Sequence, residues 1–135
     1  MADGDRLRGW PLTATTTTLD GIAVTIFTVT PGIKKLLGVR FIAIGRRYDV
    51  AAVEADAYYK HMYALITTAT NGVVTVQSKS VPEGLFTGAA NYIIDVVAAG
   101  TAANFNVQGI GGGSPHSVRW HATTELIQVE QTITV

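Results

Sequence analysis

A chain of 135 residues has the length of one domain and can bury roughly two thirds of its unfolded surface unaided. It has no cysteine, which excludes disulfides, a thiolate metal site and the small secreted disulfide scaffold. Ten basic and ten acidic residues cancel, so the basic face that nucleic-acid binding needs is missing, and no apolar run approaches a membrane span.

The opening MADGDRLRGWPL is polar and mixed in charge, unlike a signal peptide with its apolar centre. Residues 1–11 read as an N-terminal arm closed by Trp10-Pro11, with two readings open: a partly disordered terminus over residues 1–8, or an arm anchored by Trp10 and Pro11 that reaches a neighbouring subunit through Asp5, Arg6 and Arg8. Residues 12–135 form the domain. The threonine-dense run 13–19 has high strand preference. Asp20-Gly21 signals a turn into a second strand at 22–30, which predicts a first hairpin. A third strand, 36–45, is apolar on both faces as an interior strand can be, with Val39, Phe41 and Ala43 on one side. It ends in Arg46-Arg47.

Residues 50–55 read as a loop with at most one helical turn. A strand over 57–68 and another over 73–79 flank Asn71-Gly72, a hairpin signal. Residues 81–90, with Pro82, Gly84 and Gly88, read as a loop. A strand at 91–98 places Tyr92, Ile94 and Val96 on one parity. A short strand follows at 104–108, and a glycine-rich link leads to a closing strand at 117–129. There Val118, Trp120 and Ala122 alternate with Arg119, His121 and Thr123. Ile127 and Val129 fall on the opposite parity, which predicts a bulge near Glu125-Leu126. The pattern predicts an all-β, single-domain, two-sheet sandwich, jelly-roll-like, of about eight strands, with Phe41, Ile94 and Trp120 in its core.

Few residues have a pattern that carries chemistry. His61, His116 and His121 are scattered and form no ligand pair on one element. Asp49, Glu54 and Asp56 are close in sequence, which does not give the facing carboxylates of a glycosidase. Ser78, Ser114 and Ser117 lie in no Gly-x-Ser-x-Gly context, and the glycines of 109–113 lack the helix and lysine of a phosphate loop. The sequence therefore predicts no enzyme, no cofactor and no metal. Arg46 and Arg47 have the chemistry to hold a phosphate or carboxylate, with local ion pairing as the plainer reading. Tyr58, Tyr59 and Tyr63 suit stacking on sugars, with cross-strand packing as the alternative. From Gly84 to the end only Asp95, Arg119, Glu125 and Glu130 are charged, so other subunits are expected to cover part of this surface.

Four segments in order, VRFIAIGRRYD, AYYKHMYALITTATNGVVTV, YIIDVVAAG and VRWHATTELIQVE, resemble small virion domains of tailed phages. The shared pattern is a strand ending in Arg-Arg, a hairpin, a strand holding an Asp and a closing strand with an aromatic-x-Ala core and a Val-Glu ending. It spans residues 39–130, and this chain departs from it in its Ala/Tyr loop and triple glycine. The resemblance implies a β-sandwich that binds other virion subunits. Read as a complete single domain, the chain fits a capsid cement protein, homotrimeric, assembled in the host cytoplasm and bridging major capsid protein subunits on the capsid exterior. Nucleic acid and membrane are not expected partners. The alternative is a carbohydrate- or receptor-binding module of a tail or fibre, using Arg46, Arg47, Tyr58 and Tyr59.

Overall fold

The computed structural model describes residues 12–50, 56–87, 92–112 and 116–130. Among them are nine strands and no helix: β1 (Leu12–Thr18), β2 (Val24–Val29), β3 (Lys35–Arg47), β4 (Ala57–Thr68), β5 (Val74–Lys79), β6 (Glu83–Thr87), β7 (Ile93–Ala99), β8 (Ala102–Gln108) and β9 (Val118–Glu130). They form the expected two-sheet sandwich, with all pairings antiparallel. The large sheet runs β1-β9-β3-β4-β5, with β6 also on β4, and the small sheet runs β2-β8-β7. The expected arm lies outside the described residues, as do 51–55.

The long interior strands set the frame. β3 is hydrogen-bonded to β9 from Lys35↔Glu130 to Arg47↔Val118 without a register shift. The bulge expected near Glu125-Leu126 is therefore absent. β9 keeps its parity, burying Val118, Trp120, Ala122, Thr124, Leu126 and Gln128 and leaving Ile127 and Val129 on the outer face. The apparent slip came from taking two exposed β-branched residues for core. A bulge does occur in β2, where the register with β8 shifts between Thr25 and Phe27 and turns Phe27 and Val29 inward.

Two further expectations are corrected. β1 and β2 do not form a hairpin: β1 pairs with β9 and β2 with β8, so Asp20-Gly21 carries the chain between the sheets. Asp20 has φ 56°, and a Cβ on Gly21 would sit 3.1 Å from the Gly111 amide nitrogen, a close approach that suits glycine. Within the expected 81–90 loop lies β6, paired along β4 from Ala57↔Thr87 to His61↔Glu83. All five β6 residues are exposed, so no alternation marked it. A Cβ on Gly84 would overlap the Tyr59 carbonyl. The Asn71-Gly72 hairpin is present, closed by Gly72 N–H to the Ala69 carbonyl at 3.0 Å, with Gly72 at φ 85°.

The core lies between the sheets. At its centre Phe41 of the large sheet meets Phe27 and Phe105 of the small one, all edge-to-face with centroids 5.2–6.2 Å apart. Toward one end the fully buried Trp120 donates its indole N–H to Thr18 Oγ1 at 3.0 Å. Tyr92 packs on it, followed by Tyr58 and Phe86. Gly45 faces the indole, and a Cβ there would come within 2.8 Å of ring carbons. Ile94 is also buried, at the centre of β7.

The outer faces differ. On the small sheet Thr25 and Thr28 hydroxyls donate to Asn106 and Asn104 across the strands, a polar ladder. The large sheet exposes Leu36, Ile44, Tyr59, Tyr63, Leu65, Ile127 and Val129.

Candidate functional site

Strand parity splits the four residues that the sequence offers as a ligand patch. Neighbours along a strand point to opposite faces, so Arg46 and Tyr59 lie on the outer face while Arg47 and Tyr58 turn inward. Tyr58 is buried, stacked on Phe86 and covered by Lys60, whose Nζ is 4.6 Å from the ring centroid. It therefore cannot present its ring to a ligand. Tyr59 and Tyr63 are 42% and 52% exposed, and His61 between them meets both rings edge-on.

Arg47 is the locally paired arginine. Its Nε donates to Asp49 Oδ1 at 2.5 Å and its Nη1 to Asp56 Oδ2 at 3.4 Å, with His116 Nε2 3.1 Å away. The Tyr92 hydroxyl lies 3.0 Å from His116 Nδ1, and the Ser117 amide donates to Asp49 Oδ2 at 3.1 Å. Backbone bonds from Arg47 N to the Asp56 carbonyl and from Tyr48 N to the Ser117 carbonyl complete the tie. This network fixes the exit of β3, so Arg47 positions Tyr48.

Partial burial pushes the Asp49 carboxyl up, but the Arg47 hydrogen bond, the Ser117 amide and the Arg47 charge outweigh it and hold it below the ordinary 3.8. A depressed carboxyl contributes stability that is present above its unfolded pKa of about 3.9 and lost as pH falls through the lower folded value. Burial, reinforced by the charges of Asp56 and Asp49 against that of Arg47, pushes the Tyr92 phenol up to about 12. Its contribution is complete below pH 10 and is lost as pH rises through about 12. Urea midpoints measured against pH should therefore fall at both ends. Asp49→Asn should flatten only the acid limb and Tyr92→Phe only the alkaline one; a limb unchanged in its variant would refute that assignment.

Adjoining this network, at the same end of the large sheet, a groove of about 840 Å³ opens on the outer face. Its walls come from three strands and the segment after β3: Thr15 and Thr17 of β1, Ile44 and Arg46 of β3, Tyr48 and Val50, and Arg119 and His121 of β9. Thr16, Gly45, Arg47 and Trp120 also contribute to its lining. Arg46 and Arg119 are directly opposed in the β3–β9 register, and His121 opposes Ile44. The Arg119 guanidinium lies over the Tyr48 ring, 4.8 Å from its centroid. Tyr59 stands beside Ile44 on the next strand. Of the expected patch, then, Arg46 and Arg47 line this groove, Tyr59 shares its face without lining it and Tyr58 does neither; Arg119, His121, Tyr48, Thr15 and Thr17 join the two arginines. The alternation of β9 showed Arg119 and His121 as outward residues; which arginine they would meet depended on the β3–β9 pairing.

Among the described residues no group of three or more His, Asp or Glu side chains could hold a metal ion. The expected contact residues Asp5, Arg6, Arg8, Trp10 and Pro11 lie outside the described residues, as does Glu54.

No family model matches the sequence, and no curated protein matches it. Among solved structures, the fold is similar to part of the tailspike protein of Acinetobacter baumannii phage AM24, with TM-score 0.54, 10% identity and 92% of this chain covered. It also aligns with the tailspike of Acinetobacter phage vB_ApiP_P1, with TM-score 0.45, 14% identity and 85% coverage. This chain spans about a quarter of each tailspike, 27% and 22% of their lengths. At these identities the likeness to the AM24 protein is one of fold.

Proposed function

We propose that the chain is a non-catalytic β-sandwich module of a phage tail or fibre that binds a carbohydrate receptor on the host surface. The observation that carries this reading is the open groove at the end of the large sheet, with charged, hydroxyl and aromatic side chains converging on a space large enough for a sugar unit. The fold shared with a segment of a tailspike supports a place in the tail apparatus over the capsid exterior. The apolar remainder of the same face, Leu36, Leu65, Ile127 and Val129, suits burial against another subunit and supports self-association.

The test uses the labelled full chain on host cells, on purified surface polysaccharide and with empty capsids. Retention on cells and polysaccharide, without release of reducing ends and without co-sedimentation with capsids, is the expected result. A chain that pellets with capsids and ignores polysaccharide would return the reading to a cement protein. Release of reducing ends would make it an enzyme.

A further inference from the structure

We propose that Tyr63, His61 and Glu83 form a second subsite, for a neutral sugar unit with vicinal hydroxyls, so that the module reads an extended polysaccharide strand; this rests on the groove being its carbohydrate site. Residues 59, 61 and 63 share a parity, so the side chains of Tyr59, His61 and Tyr63 stand in one row on the outer face of β4. At about 3.3 Å per residue the row is about 13 Å long. It starts beside the groove, where Tyr59 opposes Ile44, and ends at Tyr63. Tyr63 is the wall between two hollows. One, of about 380 Å³, lies toward β3 and β9, where Gly38 brings no side chain and a Cβ built on it would meet nothing within 4 Å. The other, of about 330 Å³, lies toward β6 and is lined by His61, Tyr63, Ser80, Val81 and Glu83. A half-exposed ring with a hollow on each side has room to take the C–H face of a sugar.

The second hollow carries the polar groups that orient a sugar on such a ring. His61 and Glu83 are directly opposed in the β4–β6 register, which holds their Cβ atoms about 4.5–5.5 Å apart on one face. Among the described residues the Glu83 carboxylate has no ion pair and no hydrogen bond, and His61 touches only the rings of Tyr59 and Tyr63. Ser80, by contrast, is committed: its hydroxyl accepts the Tyr63 N–H at 2.8 Å and donates to the Tyr63 carbonyl at 3.4 Å, which pins the segment after β5 beside the ring. A carboxylate accepts two hydroxyl hydrogens and an imidazole N–H donates one. The pair therefore matches a vicinal diol while the same sugar unit rests on Tyr63. Val81 adds apolar surface at the rim. The Glu83 charge disfavours an acidic unit here, and the volume suits one sugar unit.

The experiment is titration calorimetry of the full chain with size-fractionated fragments of the purified surface polysaccharide, from single units to octasaccharides. The groove, the larger site, takes the short fragments. Fragments that reach from it to Tyr63 gain the second subsite as an intramolecular contact. With a charge-assisted hydrogen bond at stake, long fragments should bind about tenfold or more tighter than short ones. Tyr63→Ala and Glu83→Ala should each bring long fragments down toward the affinity of short ones, and Glu83→Gln, which keeps one acceptor oxygen, should recover part of the gain. Ile44→Ala, in the groove, should weaken fragments of every length, and Thr28→Ala, on the opposite sheet, should change nothing. The gain should not depend on salt, because the sugar unit is neutral. Urea midpoints for each variant separate lost binding from lost folding. Affinity independent of fragment length, a gain that persists in Tyr63→Ala and Glu83→Ala, or a gain that falls steeply with salt overturns the inference while leaving the carbohydrate-module reading intact. Binding of no fragment at all would overturn both.

Discussion

Trp120→Ala should lower the unfolding free energy by about 3–5 kcal/mol, a large share of the roughly 5–15 kcal/mol of a typical domain. The indole is fully buried between β9 and the start of β7, where Tyr92 meets it edge-on with centroids 5.6 Å apart. Alanine would leave an aromatic-sized void that Gly45 cannot fill, because the glycine offers no side chain to collapse into it. It would also strand the buried Thr18 hydroxyl, which now accepts the indole N–H, adding about 1 kcal/mol or more. Trp120→Phe separates the two terms: most of the packing is restored and the hydrogen bond is not, so its loss should be well under half as large. Urea unfolding followed by far-ultraviolet circular dichroism reads both. A loss below about 1 kcal/mol for the alanine variant would mean that the core is centred elsewhere.

How much of this was legible beforehand depends on how local each signal is. β4 was readable to its ends, since residues 57–68 carry aromatic and β-branched residues and run into Asn71-Gly72, whose turn needs only neighbours in sequence. Burial of Phe41, Ile94 and Trp120 followed from alternation alone. The partner of β1 was not readable, because a turn dipeptide fixes the bend and not the sheet that the next strand joins. β6 was hidden for a different reason: it is held by backbone hydrogen bonds to β4 and buries no side chain, so its sequence owes nothing to periodicity. The false bulge shows the converse error, since Ile127 and Val129 look like core and stand at 63% and 54% exposure.

The site was legible by half. Adjacent residues on a strand cannot share a face, so the pairs Arg46-Arg47 and Tyr58-Tyr59 each had to divide. Parity counted from Phe41 already sends Arg47 inward and Arg46 outward. What no local pattern gives is the juxtaposition of Arg46 with Arg119, 73 positions apart, which depends on the β3–β9 register. The charge-poor second half has its counterpart on the large sheet's outer face, where Ile127 and Val129 sit beside Leu36 and near Leu65.

Phe41→Ala should cost a comparable 3–5 kcal/mol, or about that, and for a reason that separates the scaffold from the site. Phe41 is the large sheet's contribution to a three-ring cluster, meeting Phe105 at 5.2 Å and Phe27 at 6.2 Å between centroids, with interplanar angles of 79° and 77°. Such edge-to-face pairs add about 0.5–1.5 kcal/mol each beyond the area they bury. Because Phe27 and Phe105 also meet each other at 6.0 Å, the two sheets are joined by a closed triangle, and removing one ring deletes two of its contacts and loosens the third. The double variant Phe41→Ala, Phe105→Ala should therefore lose less than the sum of the singles, by roughly 0.5–3 kcal/mol. Strict additivity would show that the rings act independently and that the triangle is only a coincidence of packing. None of the three rings lines the groove. Ligand affinity measured on the folded fraction of the single variant should thus stay within about twofold of the parent.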